Sequence, residues 1–196
     1  MKVFKIICCT ILTIALAATF VLSAFTSSQQ KSGGGYSALT TVTERSQQWI
    51  LEQFGHCQTI PELLDEIDHF AVGHFTYGDP RKQLVQNFWL DTFIFEDDFL
   101  GVCFDFSCFV KSVVLVWKEA HQRQDVQAYV YDVQLRNGGA HSYNFIMEDG
   151  HTWFLCVTTD VTRASEGRKL QGVIEITGET PREYALRYNE YVFNIH

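Results

Sequence analysis

The most continuous apolar pattern in the chain lies at its start. Residues 6–25 form an uncharged, strongly apolar run, which is long for the core of a secretory signal and just long enough to cross a bilayer as a helix. Lys2 and Lys5 precede this run, and basic flanks of this kind stay on the cytoplasmic side of a membrane. Residues 1–25 are therefore predicted to be either a cleaved signal peptide or a retained membrane anchor. Both alternatives predict an exported, extracellular or cell-surface protein.

The segment that follows has no apolar positions spaced for packing. Residues 26–38 are dominated by Ser, Gln and Gly, a composition typical of a flexible linker. The pattern of a packed domain begins after it. Residues 39–196 are predicted to form one domain, because this length can be served by a single hydrophobic core.

Helical periodicity dominates the first half of this domain. Residues 43–54 and 59–74 carry apolar side chains on one face, and each stretch opens with a threonine that can cap a helix. A shorter helix is predicted at residues 81–90. Residues 102–117 are apolar on nearly every face and too many for one strand, so they are predicted to form a buried helix.

Strand patterns dominate the second half of the domain. Alternating or β-branched runs separated by turn residues predict strands at residues 126–135, 141–147, 152–159 and 172–177. Turns are predicted at residues 137–139 and 148–150, and a terminal helix at residues 181–188. Helices followed by an antiparallel meander predict an α+β fold.

Composition and charge argue against a disordered chain and against a nucleic-acid partner. The chain is 46% hydrophobic and 19% charged with only 3 Pro, whereas disordered chains are poorer in apolar residues and richer in charge. Its formal net charge is −8, and setting aside the two positive charges of Lys2 and Lys5 leaves −10 for residues 6–196. Such a domain repels phosphate backbones, so nucleic acid is an unfavourable partner.

The cysteines bear on redox state and metal binding. Two of the six lie in the first apolar run, and the remaining four are Cys57, Cys103, Cys108 and Cys156. In an exported chain these four could form one or two disulfides. The sequence contains no CxxC pair and no zinc-ribbon spacing, so neither a metal nor another cofactor is predicted.

Candidate chemistry concentrates at three side chains. Cys103 lies at the predicted start of the buried helix, where a helix N-terminus stabilises a thiolate and backbone N–H groups can receive an oxyanion. A nucleophilic thiol needs a base, usually His, and the base needs a third group to hold its ring. His141 opens the second predicted strand and Asp160 follows the third. If these strands form a hairpin at residues 148–150, His141 and Asp160 are expected to lie side by side.

The segments around these three residues resemble the motifs of the transglutaminase-like superfamily. Residues 101–107 (GVCFDFS) resemble its nucleophile segment, and residues 141–143 (HSY) resemble the strand start that carries its histidine. Residues 160–162 (DVT) resemble its aspartate segment. Tyr143 stands where that family commonly has tryptophan, and Val161 stands where it has proline.

The resemblance implies a papain-like α+β fold with the thiol on a buried helix packed against an antiparallel sheet. It also implies Cys103 as the nucleophile, His141 as the base and Asp160 as the residue that orients the imidazole. The implied reaction is cysteine-dependent acyl transfer on a peptide or protein, of which a cell-wall peptide is one candidate. Water as acceptor would make the protein a peptidase or amidase, and a lysine amine would make it a transglutaminase.

Alternatives remain at each level. Cys108 is a rival nucleophile, because residues 105–109 faintly resemble the nucleophile segment of NlpC/P60 cell-wall peptidases, although the order of residues differs. Asp105 is expected to anchor the helix start, and Tyr77 or Trp89 could assist the oxyanion. At the level of function, the alternative is an inactive surface module that uses the same fold to bind peptide or glycan.

Overall fold

The computed structural model of the chain describes residues 42–78, 89–96, 98–134 and 139–193. All of them belong to the range predicted to form the globular domain. The predicted signal or anchor segment, the linker and most of the predicted helix at residues 81–90 lie outside the described residues, as does most of the turn at residues 137–139. No helix within the described ranges is long and apolar enough to cross a membrane.

The first two helices form where the sequence predicts them, and each begins at a threonine cap. Helix α1 spans Glu44–Phe54, and the Thr43 hydroxyl accepts a hydrogen bond from the Ser46 N–H at 3.2 Å. Helix α2 spans Ile60–His74, has Thr59 as its N-cap and carries a proline in its first turn. Both caps satisfy backbone N–H groups that a helix start otherwise leaves unpaired.

A short parallel ladder leads into the central helix. Strand β1 (Thr76–Tyr77) pairs in parallel with strand β2 (Leu100–Gly101), and helix α3 (Trp89–Phe95) lies between them in sequence. Helix α4 then spans Cys103–Ala120 and is buried on most of its surface, as its uniformly apolar pattern predicts.

Aromatic side chains from the first four helices and their connections fill the core on this side of the domain. The Phe70 and Phe109 rings stack with centroids 6.2 Å apart, and the Phe75 and Phe99 rings stack at 5.5 Å. Trp49 packs edge-on against Phe70 at 5.6 Å. Buried aromatic rings contribute large apolar areas, and this cluster holds α1, α2 and α4 together.

The second half of the domain is an antiparallel meander in which the order of strands follows the order of sequence. Strands β3 (Gln127–Gln134), β4 (Ala140–Glu148) and β5 (His151–Leu155) are each within a few residues of the prediction. The turn between β4 and β5 is formed by Asp149 and Gly150, both with positive φ. That conformation suits a two-residue hairpin turn, and Asp-Gly is a favoured sequence for it.

The prediction of a strand over residues 152–159 is wrong beyond Leu155. There the chain leaves the sheet, and helix α5 spans Val157–Ser165 with Cys156 as its N-cap. The β-branched residues at 157–159 favour a strand by propensity, but Val157, Asp160 and Val161 are buried at helical spacing. Asp160 therefore lies within a helix and not at the end of a strand.

Two layers cover the two faces of the sheet. Helix α4 packs against the face that carries Asn144, whose side-chain amide donates to the Ser107 carbonyl at 2.9 Å. The opposite face carries Tyr143 and Phe145, which share a buried cluster with Tyr184 and Tyr188 of helix α6 (Pro181–Phe193). The short strand β6 (Ile174–Glu175) completes the sheet. The predicted α+β fold, with the candidate nucleophile on a buried helix against an antiparallel sheet, is confirmed.

Candidate active site

Cys103 is the first residue of helix α4, as the sequence predicts. All four described cysteines are free thiols, and no disulfide joins any of them. Cys103 retains 8% of its surface, whereas Cys57 and Cys156 are fully buried and Cys108 retains 1%. Cys103 is therefore the described thiol that a substrate reaches with the smallest rearrangement.

The residues on either side of Cys103 hold the start of the helix in place. The Asp105 carboxylate accepts a hydrogen bond from the Val102 N–H at 2.9 Å, which confirms that Asp105 anchors the helix start. Gly101 lies against the same carboxyl group, because a Cβ built there would come within 2.8 Å of the Asp105 Cβ. The spacing of Gly101, Cys103 and Asp105 thus has a packing reason as well as a chemical one.

Tyr77 is brought to Cys103 by the short parallel ladder. Tyr77 pairs with Gly101, and the Gly78 N–H donates to the Gly101 carbonyl at 2.9 Å. Partial burial and, to a smaller extent, the nearby Cys103 raise the pKa of Tyr77. The phenol is consequently neutral near pH 7 and can donate a hydrogen bond to charge that develops beside the sulfur. Of the two alternatives for this role, Trp89 is instead buried and stacked on Phe93 with centroids 5.3 Å apart.

His141 is nearly buried at the start of β4, and its ring contacts a sulfur atom. Its Nε2 atom lies 3.2 Å from the Cys156 Sγ atom, and its ring packs on Tyr143 with centroids 5.6 Å apart. Burial lowers the pKa of His141 to about 4, because removal from water penalises the charged imidazolium. The imidazole is therefore neutral at pH 7 and able to accept a proton, although it is a weaker base than a solvated histidine.

Cys156 is held in turn by two hydroxyl groups. Its Sγ atom lies 3.2 Å from Thr159 Oγ1, which is 2.8 Å from the hydroxyl of Tyr188 on α6. Burial raises the pKa of the Cys156 thiol and the pKa of Tyr188, so both groups are protonated near pH 7. The result is a buried row of hydrogen-bonding groups that runs from His141 to α6.

Asp160 is fully buried, and its carboxylate accepts hydrogen bonds from the N–H groups of Gln171 and Gly172, the second at 2.9 Å. These bonds fix the loop that follows α5. Asp68 of helix α2 faces the same carboxylate, and burial together with the charge of Asp160 raises the pKa of Asp68 to about 8. Near pH 7 Asp68 is consequently protonated and can donate to Asp160.

The contacts distribute the three predicted site residues over separate neighbourhoods. Cys103 lies with Tyr77, and Asp160 lies with Asp68 and the loop after α5. His141 lies with Cys156, on the sheet face opposite to the one that Asn144 presents to α4. None of these contacts joins the three groups into a triad, so the triad stays a prediction.

Burial bears on Cys108 as the rival nucleophile. Cys108 is buried in α4, and burial raises its pKa to about 12, which makes it a packing residue. Within the described ranges, no group of three or more His, Cys, Asp or Glu side chains is arranged to hold a metal ion.

The sequence does not predict the residues that contact the imidazole. Its pattern offers Cys156 only as a possible disulfide partner, and Thr159 and Tyr188 belong to no recognisable motif. The apolar side chains of Val157 and Val161 are four positions apart, a spacing that also fits a helix over residues 157–165. If the strand is taken to end at Leu155, then Cys156, and not Asp160, is the residue expected beside the start of β4.

Comparisons with known proteins give little beyond the fold. No protein-family model matches the chain, and no curated protein matches it. Among solved structures, it is similar to a candidate cysteine protease from Cytophaga hutchinsonii, with 15% identity, a TM-score of 0.42 and coverage of 74% of this chain. It is also similar to a TGase, with 15% identity, a TM-score of 0.38 and coverage of 83% of this chain.

The chain spans less than half the length of either solved structure, at 47% and 41%. At this level of superposition and identity, no activity or residue role transfers from those proteins to this chain.

Proposed function

We propose that this protein is a cysteine-dependent acyl-transfer enzyme of the transglutaminase-like kind, in which Cys103 is the nucleophile and His141 the base. The observation that carries the proposal is the position of Cys103 and its surroundings. It is the least buried of the described thiols and the first residue of a helix whose start is fixed by Asp105, and it lies beside the neutral phenol of Tyr77.

Each group has a defined task in the proposed reaction. His141 takes the proton of the Cys103 thiol, and the sulfur attacks the carbonyl carbon of a peptide or carboxamide. The N–H groups at the start of α4 and the Tyr77 hydroxyl stabilise the oxyanion that forms. When the tetrahedral intermediate collapses, the C–N bond breaks and the imidazolium protonates the departing amine, which leaves a thioester on Cys103.

The second half of the reaction decides the product. His141 removes a proton from the acceptor, the acceptor attacks the thioester carbonyl, and the proton returns to the Cys103 thiolate when the C–S bond breaks. Water as acceptor gives hydrolysis and a lysine amine gives transamidation. Hydrolysis is the better supported alternative, because it requires no second substrate site. Both routes require the His141 ring and the Cys103 sulfur to come within hydrogen-bond distance in the substrate complex.

The orienting role predicted for Asp160 changes in this proposal. Its carboxylate already accepts two backbone hydrogen bonds, and the Nε2 atom of His141 lies 3.2 Å from the Cys156 Sγ atom. Asp160 is assigned the support of the loop after α5. As for location, export with either a removed or a retained N-terminal span remains part of the proposal.

Thiol labelling of the native protein tests the nucleophile. A limiting amount of iodoacetamide should modify Cys103 first, because burial raises the pKa of Cys57 to about 11 and that of Cys108 to about 12 and suppresses their thiolates. Mapping of the modified peptide identifies the site. Cys103→Ala should abolish the fast phase of labelling and any turnover of an amide substrate.

Cys108→Ala is the matched control, since it removes a thiol five residues away on the same helix and should leave fast labelling and turnover unchanged. Fast labelling that survives Cys103→Ala and disappears in Cys108→Ala would overturn the assignment.

A binding module with the same fold is the second candidate function. The observation that favours it is the burial of His141 against Cys156, which lowers the pKa of the imidazole to about 4 and weakens it as a base. In that case Cys103→Ala would bind peptides or glycans as tightly as the native chain. Fast labelling of Cys103 would be absent as well.

A further inference from the structure

We propose that Cys156 is the positioning residue for His141, so that a thiol holds the imidazole in the place that the sequence motif assigns to the Asp160 carboxylate. This inference rests on the proposed function only where it calls His141 the base. The contact itself can be tested without any turnover.

The place of Cys156 follows from the register of the hairpin. Asn144 pairs with Leu155, which is the last residue of β5, so Cys156 continues the strand by one step before α5 begins. Alternation then puts the Cys156 side chain on the face of the sheet that carries His141 and Tyr143. The Cys156 Sγ atom lies 3.2 Å from His141 Nε2.

The sulfur can serve this role because its own position is fixed. Cys156 is fully buried and is the N-cap residue of α5, and its Sγ atom lies 3.2 Å from the Thr159 hydroxyl, which bonds to Tyr188. Strand β4, helix α5 and helix α6 therefore converge on one sulfur atom. A partner held from three elements restricts the rotation of the imidazole ring more than a solvated side chain would.

A thiol partner differs from a carboxylate in one electrical respect. The neutral Cys156 thiol can share a hydrogen bond with a neutral imidazole but supplies no charge to stabilise the imidazolium. The other titratable groups around this contact are the phenols of Tyr143 and Tyr188, both with raised pKa, and the Asp160 carboxylate beyond Cys156, which Asp68 faces. A neutral thiol therefore leaves the imidazole able to accept a proton without adding charge at this contact.

Proton NMR of the His141 ring in the full-length protein measures the contact directly. In the native protein the ring should titrate near pH 4. Cys156→Asp should raise the pKa of His141 above its ordinary value of about 6.5, because a carboxylate at 3.2 Å would stabilise the imidazolium. Cys156→Ser keeps a neutral hydrogen-bonding group and should leave the titration close to the native one.

Kinetics supply the second readout. Cys156→Ala should lower kcat about 10-fold to 100-fold with KM changed by less than about twofold, as expected when a base loses its alignment but the substrate site stays intact. Cys156→Ser should recover most of the loss. Thr159→Val tests the same row of groups without touching the sulfur and should lower kcat by a smaller factor.

Cys57→Ser is the matched control, because it replaces another fully buried thiol that has no contact with this row in the described structure. A folded Cys156→Asp protein in which His141 titrates as in the native chain would overturn the inference. So would native kcat in Cys156→Ala. If Cys156→Asp is not folded, an unchanged kcat in Thr159→Val would overturn it. If the NMR titration moves as expected while no variant and no native sample turns over an amide, the positioning contact stands and the proposed function fails.

Discussion

The thiol end and the imidazole end of the candidate site are built in different ways. The thiol end is local, because Gly101, Cys103 and Asp105 lie within five consecutive positions and determine their own geometry through one turn of helix. The imidazole end is assembled from residues as far apart as His141 and Tyr188, on a strand and a helix. Local chemistry can be recognised from a short motif, whereas assembled chemistry depends on the residue at which a strand ends.

The largest expected effect lies next to the imidazole end, at Asp68. A carboxyl whose pKa is about 8 in the folded chain binds a proton more tightly there than in the unfolded chain. The contribution of Asp68 to the free energy of unfolding should therefore be largest below pH 4, fall as pH rises from about 4 to about 8, and level off above that. Asp68→Asn keeps a donor to Asp160 and removes the cost of ionisation, so it should raise the free energy of unfolding at pH 9 by several kcal/mol.

Urea denaturation of the native chain and Asp68→Asn at pH 5, 7 and 9 gives the comparison. Labelling of Cys103 serves as the control and should be equal in the two proteins at each pH, because the thiol end does not depend on this pair. A stability gain from Asp68→Asn that is no larger at pH 9 than at pH 5 would contradict the assignment of the proton to Asp68.

The thiol end is tested by Gly101→Ala. The added Cβ would lie 2.8 Å from the Asp105 Cβ and 3.1 Å from the Phe93 ring, so the helix start must shift. Overpacking of this kind costs about 2 kcal/mol, and thermal denaturation together with the rate of Cys103 labelling should show both effects. Gly73→Ala is the matched control, since a Cβ there meets nothing within 4 Å and alanine in a helix should stabilise by about 0.5–1 kcal/mol. Equal losses in the two variants would mean that Gly101 has no special packing role.

The smallest effect is expected when the hydroxyl group of Tyr77 is removed. Tyr77→Phe keeps the ring but removes the hydroxyl beside Cys103, so kcat should fall about 10-fold, KM should change little and the melting temperature should stay close to the native one. Tyr129→Phe is the control for an exposed phenol away from the site. An equal kcat in Tyr77→Phe and the native chain would remove Tyr77 from the reaction.

The difference between the two ends also explains how much the sequence predicted. The capped helices α1 and α2, the buried helix α4 and the hairpin turn at Asp149–Gly150 follow from short-range rules, namely capping residues, apolar periodicity and turn chemistry. The cysteine at the head of α4 and the anchoring role of Asp105 were found for the same reason.

The neighbourhood of His141 could not be found in this way. Val157, Thr158 and Thr159 have β-branched side chains, which favour a strand by propensity, and their helical conformation is decided by packing across the domain. An error of four residues at the end of one strand replaced Cys156 with Asp160 as the predicted neighbour of the imidazole. The carboxyl pair of Asp68 and Asp160 joins two helices, and its members are 92 positions apart in the sequence. No local sequence pattern predicts this pair.

The uneven burial of the four free thiols has a consequence for handling the protein in air. Cys57, Cys108 and Cys156 retain at most 1% of their surface, so among the four described thiols dissolved oxidants should reach Cys103 first. Within these four, early damage should therefore be a sulfenic acid at Cys103, which a reductant such as dithiothreitol can reverse before further oxidation makes the loss permanent.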